Sequence, residues 1–523
     1  MRALGPETRA PEHDRASLHD LSGAIAAVLP SLERFLRFEG TDPARSRSRW
    51  RPALDQTLPV SGIGRDAVLA DLADLVVANG LRTGHPGFSG WVTTMPTDVG
   101  AAADLAQAVA VPQRWWATAG NFVDDLAMRW LIALLGFPAS FAGTFSAGGS
   151  TANLIGLGAA RQHAGERLGL HPSRDGNGGL VEPRVYCSTQ THHVVGRALG
   201  VLGLGRQSLR PIALDRHGTI DLDRLQAALD EDAAAGRTPV AIVACGGDVN
   251  LGRVDPIADL ARIARERGIW LHVDGAYGGW GMLDDRVRAR FGDPATYDSF
   301  AIDPHKWLAA PVGTGAVIVR DAELLARAFE IESGAYDRER LVPVGVDDTG
   351  SPFDEVGLGT PDFGVDFSAP ARGLAVWAIL REIGSRGMRE RVMRHNDCAR
   401  RVAELARACD ELELLAEPVL SICCFRYRPS GWNDEERLDA LNEAILRGVR
   451  ARGRTVTSST RVGARFAIRP CFINPRSTLA DAEALIGEVL TVGRELTIQA
   501  GSASDPASVR SGGNRPGSSG PST

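Results

Sequence analysis

The chain has 523 residues, 44% of them hydrophobic and 23% charged, with a formal net charge of −6 at pH 7. That size and composition suit a globular protein with a large core and more than one domain. The slight acidic excess offers no basic field for nucleic acid, and the longest apolar runs, such as 130–137, are too short to span a bilayer.

The first 20 residues are charged and broken by prolines, unlike a signal peptide or a transit helix. The segment 1–84 reads as helical, with apolar helical spacing over 18–36 and 65–77. A large α/β domain is expected over 85–374. It opens with helices at 101–110 and 124–135, and a third helix, 151–164, follows a Gly-rich turn. Buried strands are expected at 184–187, 240–244, 269–273 and 316–319, with helices such as 257–267 between them. Short apolar strands separated by amphipathic helices predict a mainly parallel sheet with helices on both faces. Ligands bind such sheets beyond the carboxyl ends of the strands.

Residues 333–364 are rich in Gly, Asp and Pro, and a loop of that length is usually functional or mobile. A smaller α/β domain is expected over 375–499. Its helical pattern begins at 373, with helices at 373–383, 389–408 and 435–451 and strand-like runs at 419–427 and 466–472. Cys423 and Cys424 fall in the first of those runs and read as core. The seven cysteines include no CxxC pair and no zinc-site spacing, which reads as reduced thiols in a cytoplasmic protein. The Gly/Ser/Pro-rich stretch 500–523 is expected to be a disordered tail.

Four features fall near strand ends in the large domain. Lys306 is the only lysine among 58 basic residues. Arginine stays protonated, whereas lysine can become a nucleophilic amine, so a lone lysine in an apolar setting marks a place where an imine-forming amine is needed. Asp274 closes the apolar run 269–273, IWLHV, where a carboxylate is costly unless a cation meets it. His192 follows the 184–187 strand beside His193. The segment 146–153, SAGGSTAN, places a Gly-rich turn at a helix start and so makes an anion site. Taken singly, each also reads as a turn, a cap or a surface residue. Together they are what pyridoxal phosphate requires: a phosphate turn, a stacking imidazole, a carboxylate for the ring nitrogen and a lysine for the aldehyde.

With those residues in view, the sequence resembles the group II pyridoxal-phosphate amino-acid decarboxylases, relatives of aromatic-L-amino-acid decarboxylase, from about residue 85 to 496. The segment 303–307, DPHKW, is close to the family's Schiff-base signature. The segment 272–279, HVDGAYGG, looks like its pyridinium-aspartate strand, 188–192 like the stretch carrying the stacking histidine, and 85–90, HPGFSG, like its substrate-side segment. The resemblance implies the type I pyridoxal-phosphate fold, a homodimer with interfacial active sites, and an amino-acid substrate. It implies Lys306, Asp274 and His192 as catalytic residues, and Gly149, Ser150, Ala276 and His305 as further cofactor contacts. It also implies Tyr336, at the start of the long loop, as the proton donor, a position where tyrosine favours simple decarboxylation over aldehyde formation. The stretch 247–250, GDVN, departs from the family's usual threonines. The alternatives are an aldehyde-forming oxidative decarboxylase or carbon–carbon lyase on the same cofactor, a serine hydrolase using Ser146, and a non-catalytic relative.

Overall fold

The computed structural model describes residues 20–41, 47–111, 113, 118–330 and 363–503. Helix α1 (Leu21–Leu36) opens on Asp20, whose carboxylate accepts the Gly23 N–H at 2.8 Å. Helices α2 (Arg47–Leu54) and α3 (Arg65–Asp71) follow. The helical pattern expected over 65–77 is present, but beyond Asp71 it widens into a π turn, Leu72–Val76, and tightens into a 3-10 turn, Val77–Asn79. No helix among the described residues is long and apolar enough to cross a membrane.

Strand β1 (Phe88–Ser89) pairs in parallel with residues 456–457, far along the chain. The segment after His85 is therefore stitched to the C-terminal sheet. Helices α4 (Asp98–Ala110) and α5 (Ala119–Leu135) lead into β2 (Ala142–Ser146) and α6 (Gly149–Glu166). In chain order there follow β3 (Arg184–Ser188), α7 (Val194–Val201), β4 (Leu209–Ile212), α8 (Leu222–Ala234), β5 (Pro239–Cys245) and α9 (Ile257–Arg267). Then come β6 (Trp270–Asp274), β7 (Ser299–Ile302), β8 (Gly315–Val319) and α10 (Ala322–Ala328).

Strands β2 to β8 form one sheet in the order β2-β8-β7-β6-β5-β3-β4. The pairs β4–β3, β3–β5, β5–β6 and β6–β7 are parallel, and only β8 runs against the rest. Alternation along the strands assigns side chains to two cores. Tyr186, Ile242, Leu271 and Phe300 face one core with residues of α5, α8 and α9. Val185, Val243, Trp270 and Ala301 face the other with residues of α6, α7 and α10. Each fully buried Ile or Leu here, such as Ile242 or Leu271, stabilises the fold by about 2 kcal/mol. This is the doubly covered, mainly parallel sheet read from the sequence.

Helix α11 (Gly373–Arg407) contains the two helices expected at 373–383 and 389–408, with a break at Gly384, whose φ of 66° only glycine takes readily. Strands β9 (Leu412–Ala416) and β10 (Cys424–Tyr427), helix α12 (Glu435–Arg452) and strands β11 (Val456–Val462) and β12 (Arg465–Arg469) complete a second sheet, ordered β1-β11-β12-β10-β9. Helix α13 (Leu479–Ala503) packs on this unit. It carries regular structure past residue 500, where a tail was expected to begin, and residues 504–523 lie outside the described residues.

Candidate active site

Beyond the carboxyl ends of β3, β5, β6 and β7 lies a cavity of about 350 Å³. Its floor begins at the turn between β2 and α6. Gly148 there has φ 100° and caps the helix, so the N–H groups of Gly149 and Ser150 open the first turn, where no earlier turn can accept them. The dipole of an 18-residue helix adds positive potential at the same point. Ser146 is buried and its hydroxyl donates to Gly148 O at 3.2 Å, which commits it to the turn rather than to nucleophilic attack.

Strand β6 points Trp270, His272 and Asp274 toward the same face, the one covered by α6. Asp274 stands at the strand end, level with Cys245 of β5 and Ala301 of β7. One carboxylate oxygen accepts the Ala276 N–H at 3.2 Å. Among the described residues no basic side chain forms a salt bridge with Asp274, so a carboxylate at an apolar strand end faces the cavity without a cation. His192 reaches the cavity from the loop after β3. Its Nδ1 accepts the Val194 N–H at 3.4 Å, and its ring lies 4.2 Å from that of His193. Burial holds His192 below the ordinary histidine value, against the opposing pull of Asp274, and so keeps the ring neutral.

The turn after β7 carries Lys306. Its amine lies 3.0 Å from Asp303 Oδ2, and the main chain of Asp303 is pinned by Trp280, whose indole donates to Asp303 O at 3.1 Å. Asp303 Oδ1 is buried with no hydrogen-bond partner. His305 Nδ1 donates to Thr314 O at 2.8 Å.

The sequence-derived residues Gly149, Ser150, His192, Asp274, Ala276, His305 and Lys306 all line this one cavity. Tyr336 lies outside the described residues. His85, Phe88 and Trp91 do not line the cavity; Phe88 is buried in β1, and Trp91 donates its N–H to Ser458 on β11. Sequence reasoning passed over Asp303, although its i,i+3 spacing from Lys306 was a usable signal. It also missed Arg469, which is 4% exposed and bonds the carbonyls of Trp91, Val249 and Asn250 from β12. The GDVN departure has a structural account. The Asp248 carboxylate accepts the N–H groups of Asn250, Leu251 and Arg253 at 2.7–2.8 Å and so holds its own loop.

An anion turn, an unmatched carboxylate, a neutral imidazole and a lone amine fit pyridoxal phosphate, and Asp274 leaves acceptor capacity beside the space it would fill. Fold and site together define a pyridoxal-phosphate enzyme of the type I fold. The family profile of the pyridoxal-dependent decarboxylase conserved domain matches residues 48–428. The chain is 30% identical over 452 residues to an aromatic-L-amino-acid decarboxylase of Bacillus atrophaeus, covering 86% of this chain and 89% of the relative. It is 24% identical to an L-2,4-diaminobutyrate decarboxylase of Acinetobacter baumannii, covering 91% of this chain and 94% of that one. The crystal structure of Rhodiola rosea 4-hydroxyphenylacetaldehyde synthase shares the fold, with a TM-score of 0.79 at 20% identity, covering 92% of this chain and 99% of that one. The chain belongs to the pyridoxal-dependent decarboxylases and is a carboxy-lyase acting on amino acids.

Proposed function

We propose that this protein converts an L-amino acid to the corresponding amine and carbon dioxide, with Lys306, Asp274, His192 and Tyr336 as its catalytic residues. The observation that carries the reading is the placement of the chain's only lysine in one cavity with Asp274 and the Gly149–Ser150 turn.

Bound pyridoxal phosphate supplies an electron sink for the pair released when the bond between Cα and the carboxylate breaks. The N–H groups of Gly149 and Ser150 would hold its phosphate, and Ala276 and the neutral ring of His192 would hold its ring. Asp274 would keep a proton on the ring nitrogen, as its lack of a basic partner suits it to do. Lys306 would hold the cofactor through its aldehyde, and Asp303, 3.0 Å from the Lys306 amine, would position that amine. His305, fixed by Thr314, closes the wall beside Lys306. Tyr336 delivers the proton that replaces carbon dioxide on Cα, and a tyrosine there favours amine over aldehyde.

Two copies are proposed to assemble. Leu21, Ile25, Leu29, Leu32 and Leu36 form a stripe along α1 that is between 37% and 49% exposed, and Val312, on the cavity wall, is 71% exposed. Apolar surface of this kind calls for cover, and a second copy would place it beside the site. Six of the seven cysteines are buried and none is paired, which supports a reducing, cytoplasmic setting.

Release of amine and carbon dioxide across a panel of amino acids tests the reading. The panel includes aromatic acids and 2,4-diaminobutyrate, named for its relatives. Aldehyde with hydrogen peroxide would move the enzyme to the oxidative branch.

A further inference from the structure

Behind the anion turn, four side chains form a single file of hydrogen bonds. The indole N–H of Trp270 donates to Ser299 Oγ at 2.7 Å. Ser299 Oγ pairs with His272 Nδ1 at 2.8 Å, and His272 Nε2 pairs with Asn153 Oδ1 at 2.8 Å. Asn153 Nδ2 donates to Gly149 O at 2.8 Å. His272, Ser299 and Asn153 are fully buried and Trp270 nearly so. The file runs along β6 and β7 and crosses to α6 where Gly156 lets the helix press on the ring; a Cβ there would lie 2.7 Å from His272 Cε1.

Its direction is set from the Gly149 end. An indole N–H can only donate and a carbonyl oxygen can only accept. The Gly149 carbonyl takes an amide hydrogen of Asn153, so Asn153 Oδ1 accepts from a proton on His272 Nε2; on the neutral ring Nδ1 is then the acceptor, and Ser299, which accepts from Trp270, passes its proton to it. Asn153 must turn its oxygen to His272 and its amide hydrogens to Gly149. Burial pushes the His272 ring down to about 4, so it stays neutral and can hold this one tautomer. The file ends on the peptide unit that joins Gly149 C=O to the Ser150 N–H, and Ser150 lines the cavity. A second donor on the carbonyl polarises that amide and strengthens its N–H.

We infer that His272 is a positioning residue for the cofactor's phosphate: it bridges Ser299 to Asn153 in a buried relay that aims a polarised Ser150 N–H into the cavity. The inference rests on the proposed assignment of this turn to the phosphate. A role in packing alone would need these side chains buried and bonded but would not need the relay to end at the anion turn.

The test uses the full chain freed of cofactor, with pyridoxine 5′-phosphate and pyridoxine as probes, neither of which can bond to Lys306. Affinities are measured by calorimetry for the wild type, His272→Phe and the gentler Ser299→Ala, which leaves His272 Nδ1 without its donor. The wild type should favour the phosphorylated probe. Both variants should lose about fivefold or more of the affinity for it and keep their affinity for pyridoxine. Equal affinities of wild type and variants for pyridoxine 5′-phosphate, or equal losses on both probes, would overturn the relay. A wild type with no preference for the phosphorylated probe would instead overturn the phosphate assignment. If His272→Phe does not fold, Ser299→Ala decides by the same criteria.

Discussion

The amine of Lys306 lies 3.0 Å from Oδ2 of Asp303, a carboxylate 3% exposed and three residues earlier in the chain. The lysine is thus held by its own turn, and the pair is sheltered from solvent on the wall of the cavity. Removing one member of a buried pair leaves the other uncompensated. Asp303→Ala should lower the unfolding free energy of the cofactor-free protein by about 3 kcal/mol. Urea titration of both proteins measures it, and equal stabilities would show that the pair holds nothing.

Asp274→Asn keeps the shape of the side chain and an acceptor for the Ala276 N–H but removes the negative charge. If that charge keeps a proton on the cofactor ring, kcat should fall by about a hundredfold to a thousandfold. The absorbance of bound cofactor should survive. Retention of wild-type turnover would remove Asp274 from the reaction.

Two buried histidines set an acid limit on stability. His272 is pushed from 6.5 down to about 4 by burial. His395 is pushed to about 3 by burial, then by Arg394 and Arg391. The unfolded chain takes up these protons near pH 6.5 and the folded chain refuses them. The stability they lend above 6.5 is therefore lost as pH falls toward 4, about 3 kcal/mol for His272 alone. Asp255 works the other way: burial raises it to about 6, so its contribution is present at low pH and lost as pH rises through that value. Between pH 6.5 and 4.5 the unfolding free energy of His272→Gln should fall less steeply than that of the wild type. Parallel slopes would contradict the assignment.

The exposed stripe on α1 predicts a dimer. Leu29→Glu with Leu32→Glu should halve the mass seen by sedimentation and lower activity along with it. An unchanged mass would place the interface elsewhere.

Much of this site is legible in the sequence because its residues close apolar strands. Asp274 ends β6, a strand that patterning located, whereas Lys306, four positions after β7, stood out as the only lysine in the chain. The Gly373–Arg407 helix was legible as two pieces because Gly384 interrupts its periodicity. Other features were hidden for physical reasons. Strand β4 is four residues long at the sheet edge and contains Pro211, which an edge strand tolerates and a sequence pattern reads as a break. Arg469 comes 163 residues after Lys306 in the chain and reaches the Val249 loop only through the packing of the small sheet. The pairing of β1 with β11 is equally non-local. His272 read as part of a strand motif, and its place between Ser299 and Asn153 needed the helix laid over the sheet.

The central claim is that Lys306 carries the cofactor. Borohydride reduction of the holoenzyme, followed by peptide mass mapping, should find the cofactor's mass fixed on the peptide containing Lys306. In Lys306→Arg, a chain without any lysine, that label should vanish. Recovery of an unmodified Lys306 peptide from reduced holoenzyme would contradict the account.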